Sequence, residues 1–404
     1  MNEKIQNARD VALGILKPGA KDLEHGLELH QNAIVCDTYG FAPRSALDGD
    51  AMGAAVEAGA SEAELQDMHE DMSMTRCATD AGERAEFTEA WDAAGVTCIF
   101  QNAGEEGQSP MRLMKRLARF TYVTDMMRDY LLRAVRPDDI VAAKAQNKHC
   151  LYMSGNGVPL TQEWVSVEEE LRYIRIFFQL GIRMMHLTYN RRNIIGDGCA
   201  EPANGGLSDF GRAVVAEMNR VGVIVDVAHA GWQTSLEAAR ASALPMVASH
   251  SGCCAVNEHI RGKPDEVIRA IVDTGGYLGI CCIPSFLGRS GDINALLDHV
   301  DYAAKTFGAD HVTIGTDTAY ASRAGEAERK KIPKRRSTRP RWAYFWPPDA
   351  FGEQWRQDHM VKSLAWTNWP MFTVGLVQRG YSDEDIQKIL GGNMLRVARA
   401  VLGA

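Results

Sequence analysis

Three polar residues, His229, His250 and Asp317, each close a short apolar run. Two imidazoles and a carboxylate are a donor set for metal-assisted hydrolysis. The runs are residues 223–227 (VIVDV), 245–249 (PMVAS) and 311–316 (HVTIGT). β-Branched residues dominate them and turn residues follow, the pattern of a buried strand. Each run precedes a helix-like segment, so the unit is strand, polar tip, helix. In a parallel barrel the carboxyl ends of all strands open on one face, and that face carries the chemistry. A single histidine after a strand is an ordinary loop residue. Three polar tips at equivalent positions are a candidate site.

The elements that must position them extend along the whole chain. Residues 1–32 read as a helical lead-in to a first strand at 33–36. Residues 44–92 are acidic and rich in Ala and Met, an excursion of helices before a second strand at 96–100 (VTCIF). A long helical region is expected from 110 to 144, then a third strand at 150–153 that ends in Ser154-Gly155-Asn156-Gly157. Leu171, Ile174, Phe177 and Phe178 at helical spacing predict a helix over 167–179 stopped by Gly181. A fourth strand at 183–187 ends in Thr188-Tyr189-Asn190, with His186 and Tyr189 pointing in opposite directions and Tyr189 toward the pocket. A seventh strand at 277–281 and the eighth at 311–316 complete the pattern. Eight strands alternating with helices imply a (β/α)8 TIM barrel, class α/β, as one domain over 1–404 with insertions.

Composition fits this. The 404 residues are 46% hydrophobic, enough for one large core, and carry a net charge of −8. That charge argues against a general nucleic-acid or membrane-surface binder. No run approaches the ~18 apolar residues of a membrane span, and the acidic start of the chain does not resemble a secretory signal. Nine cysteines without a framework of spacings indicate reduced thiols. The expectation is a cytoplasmic enzyme, with no nucleic-acid or membrane partner.

Seven ordered stretches resemble the membrane (renal) dipeptidase family of the amidohydrolase superfamily. They are LTYN (187–190), GLSDFG (206–211), VVAEMNRVGVIVDVAH (214–229), ASHS (248–251), RGKPDEVI (261–268), IGTD (314–317) and GGNMLRV (391–397). The resemblance implies a barrel that hydrolyses dipeptides with two zinc ions at its mouth. It implies that His229 and His250 bind metal, and that Asp317 binds metal and handles the proton of the attacking water. It implies that Arg261 holds a substrate carboxylate. Where that family has Asp-Gly-His-x-Asp at the end of strand one, this chain reads Asp37-Thr38-Tyr39-Gly40-Phe41, so both ligands are aromatic. Asn156 stands where the bridging glutamate belongs, and a neutral amide lacks the charge that offsets two adjacent dications. Tyr189 replaces the histidine that follows Leu-Thr.

His229, His250 and Asp317 remain, enough for at most one Zn²⁺ per site or for none. The expected function is a divergent dipeptidase-like hydrolase that cleaves an amide bond in a small carboxylate-bearing substrate. Asp317 would be the general base, Arg261 the carboxylate holder, and Asn156, Tyr189 and Tyr39 would contact the substrate. The other reading is a barrel that works without metal, as an enzyme or a small-molecule binder. Cys36, Cys253, Cys254, Cys281 and Cys282 cluster at strand ends, where thiolates could add ligands. The absence of a Cys-x-x-Cys spacing favours small buried hydrophobes. Finally, eight Lys or Arg between Arg329 and Arg341 precede the aromatic run WAYFWPP. This loop is expected to act as a lid or to bridge subunits of a homodimer or higher homo-oligomer.

Overall fold

The computed structural model describes residues 1–104, 106–334, 341–348 and 350–402. Eight parallel strands follow one another around a barrel: β1 (Cys36–Gly40), β2 (Cys98–Asn102), β3 (His149–Gly155), β4 (Ile182–His186), β5 (Ile224–Asp226), β6 (Val247–Cys253), β7 (Tyr277–Ile280) and β8 (Val312–Ile314). Each pairs in parallel with the next. Helices Val167–Gln179, Asp209–Val221, Trp232–Ala241, Asp265–Asp273 and Ile293–Phe307 alternate with the later strands and cover the outside. This is the (β/α)8 barrel that the alternation implied. Among the described residues, no helix is long and apolar enough to cross a membrane.

Three local expectations are corrected. The apolar run 33–36 leads into β1, and the strand itself is Cys36–Gly40. Its polar residues Asp37 and Thr38 are fully buried and hydrogen-bonded inside the barrel, so hydropathy concealed them. The region 110–144 is two helices, Pro110–Met126 and Pro137–Ala145, separated by a short strand, Leu131–Ala134, on the edge of β3. Pro137 opens the second helix at its first turn, where a missing N–H costs nothing. Residues 335–340 of the basic run lie outside the described residues, but Arg329 to Lys331 end a helix, Gly325–Lys331, that stops before Pro333. The excursion after β1 is helical as expected, formed by Gly49–Glu57, Glu62–Thr79 and Ala81–Ala94.

The barrel closes between β1 and β8 through side chains as well as main chain. Asp37 accepts hydrogen bonds from Thr316 N–H (2.8 Å), Thr316 Oγ1 (2.6 Å) and Trp366 Nε1 (3.1 Å). Past the end of β8, Asp317 N–H donates to Tyr39 O (2.9 Å) and Thr318 O accepts from Phe41 N–H (3.3 Å). Thr38 Oγ1 crosses the interior to Ser249 O (3.0 Å). The interior is so close-packed that a Cβ on Gly279 would collide with Ser249 O, which accounts for glycine there. Burial pushes the Asp37 carboxyl up to about 7, against the pull of its three donors. Asp37→Asn puts an NH₂ against one of those donors, and a buried unmet donor costs about 1–3 kcal/mol. Unfolding free energy from denaturant titration at neutral pH is therefore expected to fall by that amount, and an unchanged value would show that the seam does not depend on this carboxyl.

Candidate active site

The site at the carboxyl ends of the strands is organised by one buried carboxylate that the apolar run VIVDV hides. Asp226, the last residue of β5, accepts from Ala228 N–H (2.9 Å), from Ser249 N–H (3.1 Å) and from the Ser249 hydroxyl. His186 Nε2, at the end of β4, lies 2.6 Å from Asp226 Oδ2. Burial alone would raise this carboxyl, but His186 and the two Ser249 bonds outweigh it and hold the carboxyl below its usual range. Asp226 is therefore ionised, and the Ser249 hydroxyl proton points at it.

That proton fixes the rest. With its hydroxyl hydrogen committed, Ser249 Oγ accepts from His250 Nδ1 at 2.8 Å. His229 Nδ1 likewise donates to Asn190 Oδ1 at 2.7 Å. Both rings thus carry their proton on Nδ1 and present a bare Nε2. The two Nε2 atoms face each other 3.0 Å apart. Burial, reinforced by Arg261, depresses both histidines well below their ordinary pKa, so they remain neutral. Opposed lone pairs in a buried setting call for a cation between them.

Other predicted site residues gather round this pair. The Tyr39 ring stacks on His250 with centroids 3.8 Å apart, and its phenol donates to Asn156 Oδ1. Asn156 Nδ2 reaches Glu106 Oε1 at 3.3 Å. Tyr189 stacks on His229 at 4.1 Å and meets Phe345 and Trp346 edge-on. Tyr39, Asn156, Tyr189, His229, Asp317 and Trp346 all front a cavity of about 410 Å³, a size suited to a small molecule. Asp317 has a left-handed backbone (φ 54°), uncommon outside glycine. It keeps some surface on the cavity, yet burial pushes its carboxyl up to about 6 against the pull of Arg261, His186 and Arg44.

Arg261 is placed differently from the cavity residues. It is fully buried behind the histidines, with Nη1 donating to Ala228 O and Nη2 to His250 O (3.0 Å). Lys263 is also fully buried, and its Nζ donates to Val227 O and Ala230 O, each at 2.7 Å. Those two carbonyls bracket His229, so Lys263 clamps the turn that carries it. His250 lies within β6 rather than beyond it. Both His186 and Tyr189 point to the site, because the strand ends at His186 and alternation stops there. Among the described residues, the buried donors that converge within 4.8 Å are His186, Asp226 and His250, and no cysteine joins such a group.

Sequence reasoning misses Asp226, Lys263 and the importance of His186. A carboxylate inside an apolar strand is the available signal, because such a residue needs a partner. Lys263→Met would fill the same space and leave two buried carbonyls without donors, at about 2–4 kcal/mol in unfolding free energy. A chemical-denaturation curve superimposable on wild type would remove the clamp from the account.

Residues 55–328 match the family described as Membrane dipeptidase (Peptidase family M19). Dipeptidase tcpJ of Claviceps purpurea is 26% identical over 284 residues, which is 69% of this chain and 57% of that protein. Dipeptidase aclJ of Aspergillus oryzae is 30% identical over 231 residues, 55% of this chain and 46% of that protein. The chain spans about half the length of the curated relatives it matches. Among solved structures, an amidohydrolase from Pseudomonas aeruginosa superimposes with a TM-score of 0.68 at 23% identity, over 94% of this chain and 99% of that one. The probable dipeptidase PvdM from the same organism gives 0.66 at 19% identity, over 95% and 99%. A metallo peptidase from Rhodobacter sphaeroides, liganded with a phosphinate mimic of the dipeptide L-Ala-D-Ala, gives 0.63 at 16%, over 91% and 99%. These structures share the fold, and the family match covers more than half of the sequence: the chain belongs to the membrane dipeptidase family.

Proposed function

We propose that this barrel is a divergent dipeptidase-like hydrolase that cleaves an amide bond in a small, carboxylate-bearing substrate and uses one metal ion at most. The observation that carries this reading is the pair of bare Nε2 atoms on His229 and His250, 3.0 Å apart beside the cavity. Two imidazole nitrogens on one tetrahedral zinc, each bound at about 2.0–2.1 Å, stand about 3.3 Å apart. The donor pair therefore fits one ion. The strand-one ligands of a second ion are absent in this reading: Tyr39 and Phe41 supply none, and the Tyr39 ring lies flat on His250.

His229 and His250 would hold the ion, and Zn²⁺ there would acidify water and polarise a carbonyl. Asp317, raised toward neutrality, is suited to take the proton of the attacking water. Asn156 uses one Nδ2 hydrogen on Glu106, which leaves the other for the scissile carbonyl oxygen. Tyr189 borders the same space and would share that task. Tyr39 stays protonated, because burial and the nearby Asp317 raise its pKa, so its phenol keeps the Asn156 amide turned correctly. Arg261 holds the main chain beside both histidines. The aromatic wall of Phe286 and Trp346 limits water around the scissile bond.

The Tyr39–His250 stack also supports a second reading, a metal-free enzyme or small-molecule binder. Metal analysis separates the two. One equivalent of zinc or less per chain is expected, and a chelator should remove it together with dipeptide hydrolysis. Two ions about 3.5 Å apart, the spacing of binuclear sites, would defeat the proposal, and activity that survives complete metal removal would favour the second reading.

The pH profile gives a separate check. A carboxyl raised to about 6 is ionised above that value and loses its charge as pH falls through it. If Asp317 is the base, kcat/KM should hold above pH 6 and fall about tenfold per unit below it. In Asp317→Asn the acidic limb should vanish along with most of the rate. A limb that persists in the variant would assign the titration to another group.

A further inference from the structure

A side chamber of about 300 Å³ opens off the main cavity and shares Phe41, Arg44, His69 and Asp317 with it. We propose that this chamber is an anion-recognition site in which Arg44 and Arg329 bind a carboxylate of the ligand next to Asp317. The inference rests on the proposed hydrolase only in taking that ligand to be the substrate.

Although the charges of Asp317 and Glu70 reach Arg44, it has no direct ion-pair partner among the described residues. Its guanidinium makes no ion pair and no side-chain hydrogen bond with them, and it lies over the Phe41 ring, 4.8 Å from the centroid. Its surface is open to the cavities, yet protein surrounds it closely enough for burial to lower its pKa. The contrast is Arg116, the other arginine on the main cavity, which is tied to Glu70 at 2.8 and 3.0 Å. Glu70 is further engaged by Arg112 and Arg119.

The backbone holds Arg44 in place. Its N–H donates to Tyr320 O (2.8 Å), and its carbonyl accepts from Ser322 N–H (2.9 Å). These bonds join the segment after β1 to the segment after β8, so the guanidinium starts from a fixed base. Arg329 lines the same chamber from the last turn of helix Gly325–Lys331, and it too has no ion pair among the described residues. The fields of the two arginines overlap at His69, whose pKa is lowered first by burial and then by Arg44 and Arg329. Ser45 Oγ, buried in the chamber wall, has no oxygen or nitrogen partner among the described residues and only the Cys77 thiol beside it.

Two arginines, both exposed and neither in an ion pair among the described residues, thus line this chamber beside one carboxylate, Asp317. A planar guanidinium pairs with a carboxylate through two parallel hydrogen bonds. Arg261 has both Nη atoms on main-chain carbonyls and does not front the main cavity. Recognition of the substrate carboxylate therefore falls to Arg44, with Arg329 as the second charge.

Calorimetric titration tests this without requiring turnover. Succinate, inorganic phosphate and neutral succinamide are titrated into the full chain, and into Arg44→Gln and Arg329→Gln variants whose unfolding midpoints match wild type. Wild type should bind succinate more tightly than succinamide. Arg44→Gln should weaken succinate by about 10–100-fold, the range of a charge-assisted pair, and Arg329→Gln by less. Equal affinity for succinate and succinamide, or an Arg44→Gln variant that binds like wild type, would overturn the proposal. Phosphate that binds far more tightly than succinate would overturn the carboxylate assignment. Succinate binding that depends on Arg44 in a protein that hydrolyses no dipeptide would retire the hydrolase reading and leave the chamber standing.

Discussion

The site depends on a carboxylate that never touches the cavity. Asp226 is fully buried at the end of β5, where an unpartnered charge would be prohibitive. Its oxygens are met by two main-chain N–H groups, the Ser249 hydroxyl and the His186 ring. Stabilising Asp226 this way fixes the hydroxyl of Ser249, which fixes the tautomer of His250, which leaves Nε2 bare toward His229. Fold and chemistry meet here, because the same bonds tie the ends of β4, β5 and β6 together.

Much of this arrangement is legible in the sequence, for physical reasons. The barrel is readable because parallel strands buried on both faces form continuous apolar runs, as in VIVDV and HVTIGT. The candidate residues at the strand tips are readable because a polar group that ends such a run emerges at one face. β1 lies further along the chain than its apolar run, because Asp37 and Thr38 bury their polarity in long-range hydrogen bonds to Thr316 and Ser249. A one-dimensional pattern carries no trace of those bonds. Asp226 and Lys263 are obscured for the same reason: Ser249 and Val227, which help to satisfy them, stand 23 and 36 positions away in the chain. Arg44 reads as the edge of an acidic excursion, and only the fold brings it back to Asp317.

The replaced ligands are not simply vacant positions. Tyr39 and Asn156, which stand where the resemblance puts a histidine and a bridging glutamate, hydrogen-bond to one another. A neutral donor and a neutral acceptor thus stand where the resemblance would put an imidazole and a carboxylate. The phenol, raised in pKa by burial, is a stable donor, and the amide accepts from it while donating to Glu106. Tyr39 and Asn156 thus satisfy each other's buried polar atoms.

The consequence for reversal is specific. Tyr39 makes three contacts at once: its carbonyl accepts from Asp317 N–H at 2.9 Å, its ring rests on His250, and its phenol holds Asn156. A histidine at this position has a shorter side chain, so the Asn156 oxygen would lose its donor in a buried setting, at a cost of about 1–3 kcal/mol. The change Asn156→Glu alone would set a second carboxylate close to Glu106 and remove the amide that donates to it. Phe41 would still offer no ligand, and it now carries the Arg44 guanidinium on its face. Changing Tyr39 or Asn156 alone is therefore destabilising, because each change disturbs the hydrogen bond that joins them. The mutual satisfaction of Tyr39 and Asn156 favours the arrangement these two residues adopt.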